Sequence, residues 1–227
     1  MSVIQYNKLN IGLVSHQKVN KNGKYKKLIL NYGCDDDALI IKLPNNMKIP
    51  YGYNVIEKDI VDKNGETFKH ITKIGTMNFD SNNDKHSKCK KTLGNLDKSF
   101  LQMIKENEYG LFTNTPDITD IYNSKFSGVL NYARQKNTSI INEQFTGIRV
   151  LITEFSKIID KDKNEYKTED YFTAGTKGCP VVKINNIYAN KLKYGVNIEL
   201  LYFIIEKPPV ETTHLVGYFN NNDSDSD

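Results

Sequence analysis

Tryptophan is absent from this 227-residue chain, and arginine occurs only at Arg134 and Arg149. The positive charge is therefore almost all lysine, a flexible point charge that suits phosphate contact without planar, bidentate base reading. Cys34, Cys89 and Cys179 are odd in number and far apart. That excludes a disulfide framework and fits a reducing compartment. No apolar run approaches the ~20 residues of a membrane helix. The start, MSVIQYNKLN, lacks the charged-apolar-small plan of a signal peptide. The expectation is a protein inside a cell, with no membrane partner.

Catalytic patterns are missing as well. His16, His70, His86 and His214 lie in unrelated settings. There is no G-x-S-x-G elbow, no H-E-x-x-H, no G-x-G-x-x-G and no paired-carboxylate pattern. The reading is therefore non-enzymatic, with no cofactor. His86-x-x-Cys89 is half of a zinc site without a second half, so no metal is expected. Asp35-Asp36-Asp37 reads as a solvated turn, since neighbouring side chains of an extended segment point to opposite faces. Ala174–Gly178 resembles part of a phosphate loop but lacks the full G-x-x-x-x-G-K-[ST] pattern, which excludes a nucleoside triphosphatase.

What is present is mostly β-signal. Leu39 to Val55 (LIIKLPNNMKIPYGYNV) reads as two strands joined by a Pro-bounded connection, because Pro44 and Pro50 cannot sit inside a central ladder. Tyr25–Tyr32, Val55–Val61 and Thr67–Phe79 are strands, the last two closed by an Asn64-Gly65 hairpin turn. Alternation puts Phe68, His70, Thr72 and Ile74 on one face, and Lys69, Ile71 and Lys73 on the other. Ser81–Lys91 reads as a basic polar loop. Asn95–Tyr109 repeats Leu96, Phe100, Met103 and Ile104 at helical spacing, and Pro116 opens a second helix. Asn123–Glu143 reads as loop. Gly147–Ile159 is a long strand and Tyr166–Thr173 its return. Val181–Tyr188 and Val196–Ile205 form the last hairpin.

The fold class is thus mainly β with one or two packed helices. The net charge is +4, and removing the three carboxylates of Asp223, Asp225 and Asp227 raises it to +7. A basic body carries an acidic end too polar to bury a core, which predicts disorder there. Richness in Lys, Asn and Ile also fits an AT-rich genome. Strand connections repeatedly set tyrosine beside lysine, the pairing a single-stranded nucleic acid needs for base stacking and phosphate contact. The stacking candidates are Tyr51, Tyr53, Tyr188 and Tyr194. The phosphate candidates are Lys42, Lys48, Lys69, Lys73, Arg149, Lys183, Lys191 and Lys193. The acidic end is a candidate for occupying the basic groove, or for docking basic replication partners. The alternative is a structural or capsid-associated β-sandwich with the tyrosines in its core.

The LIIKLP…IPYGYNV block, the PVVKINNIYANKLKYGVNIELLYFII hairpin and the terminal DSDSD resemble the oligonucleotide/oligosaccharide-binding (OB) barrel single-stranded DNA-binding proteins of nucleocytoplasmic large DNA viruses. Those are similar in plan to the corresponding proteins of short-tailed phages. The resemblance implies one OB-like barrel over residues 1–217 with a helical insertion near 95–122, then a tail over 218–227. It implies sequence-independent coating of single-stranded DNA in replication and recombination. The setting would be host cytoplasm or a viral replication site, with self-association along the strand. One departure is that Tyr218-Phe219 precede the acidic end, where tails of this kind often finish on an aromatic residue.

Overall fold

The computed structural model describes residues 2–19, 26–33, 37–61, 64–106, 126–134, 141–189 and 194–206. Its strands are β1 (Ile4–Gln5), β2 (Val14–Val19), β3 (Lys26–Tyr32), β4 (Asp37–Lys42), β5 (Met47–Lys48), β6 (Tyr53–Val61) and β7 (Thr67–Asn78). They continue with β8 (Phe126–Ser127), β9 (Leu130–Arg134), β10 (Ile141–Ile152), β11 (Lys157–Ile159), β12 (Glu165–Tyr166), β13 (Lys177–Ala189) and β14 (Tyr194–Ile205). A long helix α1 (Asp84–Glu106) and a four-residue helix α2 (Thr168–Tyr171) complete the described elements.

Five strands close a ring. β13 pairs with β5, β5 with β7, β7 with β10, β10 with β14, and β14 with β13. All neighbours are antiparallel except β10 and β14, which are parallel. This is an OB-like barrel, with β4–β6 as its interrupted first strand. It is a ring and not the two facing sheets of a sandwich. Two of its five seams are thin: β5 meets β7 only at Lys48↔Asn78, and β10 meets β14 only at Leu151↔Glu199. β6 continues the first strand on β7 from Tyr53↔Gly75 outward, and the two run on as a ribbon to the Gly65 turn (φ +84°). The expected alternation holds along this ribbon.

The interior is aliphatic and aromatic. Ile41, Met47, Ile49, Met77, Ile148, Leu200 and Phe203 are fully buried. Phe172, just after α2, is also buried, and its ring lies where a Cβ on Gly75 would stand, 2.5 Å from Cε1. Glycine at position 75 is what admits this ring. At roughly 1.5–3 kcal/mol per buried large apolar side chain, the interior carries the fold.

Several sequence expectations are corrected. Ser81–Lys91 is not a loop, because α1 begins at Asp84. Asn83 caps it, its side-chain oxygen accepting the Lys85 N–H at 2.9 Å. His86 and Cys89 lie buried on the same inner face as Leu93, Leu96 and Phe100. Asn123–Glu143 holds β8, β9 and the start of β10. The strand expected over Gly147–Ile159 breaks at Thr153–Ser156, where the Thr153 N–H donates to Ser156 Oγ at 2.9 Å. The return strand is only β12, followed by α2. The Leu39–Val55 block is in three strand pieces, since β5 stands alone between its two prolines. The second helix expected at Pro116 and the Asp223–Asp227 end lie outside the described residues.

Candidate nucleic-acid interface

The Asn45–Asn46 turn (Asn46 φ +64°) sends the chain into β5, where Met47 and Ile49 point inward and Lys48 outward. Lys48 lies directly opposite Lys177 of β13 and directly opposite Asn78 of β7. Two residues back along β7, Thr76 faces Arg149 of β10, between the buried Ile148 and Val150. The outer wall across β13, β5, β7 and β10 therefore presents Lys177, Lys48 and Arg149, all exposed. Among the described residues, the ion pairs include none of these three. Like charges directly opposite on neighbouring strands destabilise a sheet, so an anion between the two would relieve their repulsion.

Between β5 and β6 the chain bows out over Ile49–Gly52. Ile49 anchors the bow: its N–H donates to Thr176 O at 2.9 Å, and its carbonyl accepts the Gly175 N–H at 2.8 Å. Gly52 turns it with φ +76°. Tyr51, at the crest, is 89% exposed. A bare aromatic ring thus follows Lys48 by three residues and stands beside the turn that leads to Lys177. The sequence pointed to Lys48 and Tyr51 but missed Lys177.

The other candidates divide. Tyr53 is half-buried against Phe172, with Lys73 Nζ 5.4 Å from its ring centroid. Lys73 in turn sits 2.9 Å from Glu169 of α2, and that hydrogen bond raises its pKa. Lys73 therefore braces the ribbon root against α2, and its charge is already neutralised. Lys69 pairs with Glu57 at 3.6 Å on the exposed ribbon, a contact too screened to hold the lysine from a phosphate. Lys42 opens into a separate polar cleft of about 560 Å³ lined with Asn46, Asp84 and Lys85. Lys183 faces Ile40 on one side and Glu199 on the other. Tyr188 packs its ring over Gly195, whose added Cβ would fall 2.4 Å from it, so one ring face is covered. Tyr194 is buried to 7% exposure, which removes it as a stacking platform. Lys191 and Lys193, with Asp223, Asp225 and Asp227, lie outside the described residues.

Among the described residues no metal-binding cluster gathers at this wall. The His86 Nδ1 accepts the Asp80 N–H at 2.8 Å, and Nε2 donates to Asn45 O at 2.6 Å, so both ring nitrogens are occupied. Burial pushes the Cys89 thiol far above its ordinary range. Among the described residues no group of three His, Cys, Asp or Glu could hold an ion, and no helix is long and apolar enough to cross a membrane.

No protein-family model and no curated protein matches the chain. Among solved structures it is similar to the single-stranded DNA-binding protein from bacteriophage Enc34 in complex with ssDNA. That match has 14% identity and TM-score 0.46, covering 85% of this chain and 95% of the other. The same phage protein without its C-terminus aligns at 13% identity and TM-score 0.45, over 88% and 97% of the two chains. It is also similar to gp2.5, a single-stranded DNA-binding protein encoded by bacteriophage T7, with 11% identity, TM-score 0.44, and 81% and 98% coverage.

Proposed function

We propose that this protein binds single-stranded DNA, without sequence preference, across the outer wall of β13, β5, β7 and β10. The observation that carries this reading is the Lys48–Lys177 pair, followed three residues after Lys48 by the exposed ring of Tyr51, with Arg149 further along the wall. Unneutralised cations that track a backbone, next to a ring that accepts any base, are the two requirements for sequence-tolerant binding. OB barrels commonly take oligonucleotides on the face of their second and third strands, here β7 and β10. No catalytic step belongs to this reading. Coating during replication or recombination, a large DNA virus as source, one barrel over 1–217 and partner docking by Asp223, Asp225 and Asp227 are its finer parts, and they rest on the sequence pattern.

The test is fluorescence anisotropy with a labelled oligonucleotide of about 30 nucleotides, single-stranded against duplex, across a salt titration. A strong single-strand preference with a steep salt slope is expected, together with tighter binding once the chain is truncated after Asn222. Equal, weak binding to both forms refutes the reading.

A further inference from the structure

Beyond the wall, a second concave surface has the opposite character. A groove of about 770 Å³ runs between the outer half of β7, the Thr153–Ser156 turn and α2. Its apolar lining is Ile71, Leu151, Ile152 and Phe155; Ile71 is 56% and Phe155 71% exposed. Val55, diagonal to Ile71 on the same ribbon face and 51% exposed, extends the apolar strip. Glu154, Glu169 and Glu199 supply three carboxylates, while Lys73 is the one lysine of the lining and is held by Glu169. On a chain of net charge +4, this groove is locally acidic.

The groove is also built rather than incidental. Glu199 is fixed by two donors on different elements, Thr153 Oγ1 to Oε1 at 3.1 Å and Asn185 Nδ2 to Oε2 at 3.1 Å. The turn that offers Phe155 is pinned by Ser156 Oγ, which accepts the Thr153 N–H and donates to Leu200 O at 2.5 Å. An exposed ring on a pinned turn has its backbone ordered before binding, and aromatic rings anchor interfaces. With Glu169 paired to Lys73, Glu154 and Glu199 remain uncompensated, and their charge repels a phosphate backbone, so nucleic acid is disfavoured here. They match lysine or arginine on a polypeptide whose apolar side chain covers Phe155 and Ile71.

We propose that this groove docks a basic segment of a partner protein, one that carries an apolar anchor between lysines or arginines. The test uses the full-length protein and fluorescein-labelled peptides of about ten residues, a length that fits one groove. One peptide alternates Lys and Leu, one alternates Lys and Ser, and one alternates Glu and Leu. The Lys/Leu peptide is expected to bind, and the other two to bind about tenfold or more weakly. F155A and the double variant E154Q/E199Q should each weaken Lys/Leu binding about tenfold. K48Q/K177Q should leave it unchanged, and matching melting curves show that each variant is folded. Lys/Leu binding that survives both groove substitutions overturns the proposal. So does tighter binding of the Glu/Leu peptide. Loss of oligo(dT) binding in F155A, without any peptide effect, would assign the groove to nucleic acid. A concentration-dependent dimer in sedimentation that F155A abolishes would assign it to a second copy. Either result overturns the proposal.

Discussion

Substituting Lys48 and Lys177 by Gln should weaken DNA binding and stabilise the fold at once. The two ammonium groups rise from directly opposed positions of β5 and β13, and among the described residues neither is in an ion pair. Opposed like charges cost a sheet roughly 0.2–1 kcal/mol. Removing either charge relieves that repulsion completely, so Lys48→Gln alone should raise the melting temperature by about 1–3 °C, and adding Lys177→Gln should add little. Binding follows a different rule. Each phosphate-contacting lysine contributes about 0.7 to the slope of log affinity against log salt for a single strand. The slope should therefore fall by about 0.7 for each single variant and by about 1.4 for the double one. Stability saturates after one substitution while the slope keeps falling. Calorimetry and salt-titrated anisotropy on the four proteins read the two effects separately. An unchanged slope would refute the interface, and a lowered melting temperature in the single variants would refute the unneutralised pair.

Tyr51→Ala removes a ring that is 89% exposed, so stability should hold while affinity for single strands drops by roughly 1–3 kcal/mol, read by anisotropy. Gly75→Ala places a Cβ 2.5 Å from the Phe172 ring, and denaturant unfolding should show a loss of about 1–3 kcal/mol from overpacking. Asp97, on the inner face of α1, accepts the N–H groups of Val129 at 2.6 Å and Leu130 at 3.1 Å, yet burial pushes its carboxyl up to about 7. The unfolded chain loses this proton near pH 4 while the folded one keeps it, so Asp97 costs stability as pH rises from about 4 to 7, on the order of 4 kcal/mol at most. Asp97→Asn should flatten that stretch of the stability profile measured by urea unfolding at successive pH values.

The parts of this structure legible from sequence are those fixed by neighbours. The β6–β7 ribbon follows from strict alternation around Asn64-Gly65, and Lys48 and Tyr51 follow from a Pro-bounded break. The first turns of α1 were hidden because His86 and Cys89 occupy core positions that a polar count reads as loop. Their spacing to Leu93 and Leu96 was helical all along, and Asn83 was a cap in plain view. Asp97 obscures the same face further on, since its partners, Val129 and Leu130, stand at the entry to β9, more than thirty residues away. Lys177 sits in an incomplete phosphate loop that carries no signal of its own, and only the ladder to Lys48, a pairing remote in sequence, gives it meaning. By its local pattern Phe155 belongs to a continuous strand. The break that exposes it is held by Leu200 O, which no local pattern announces.

The two thin seams of the barrel divide it into halves, one built on β6, β7, β10 and β9, the other on β13 and β14 with β3 and β4. One seam, Lys48↔Asn78, underlies the basic wall; the other, Leu151↔Glu199, forms the floor of the acidic groove. Partial opening of the ring concentrates at these single-pair contacts, so their amides should exchange with solvent sooner than those of the long β13–β14 ladder. A ligand lying across either seam resists that opening. Because both seams join the same two halves, tightening one restrains the other, and occupancy of the wall and of the groove should favour each other reciprocally.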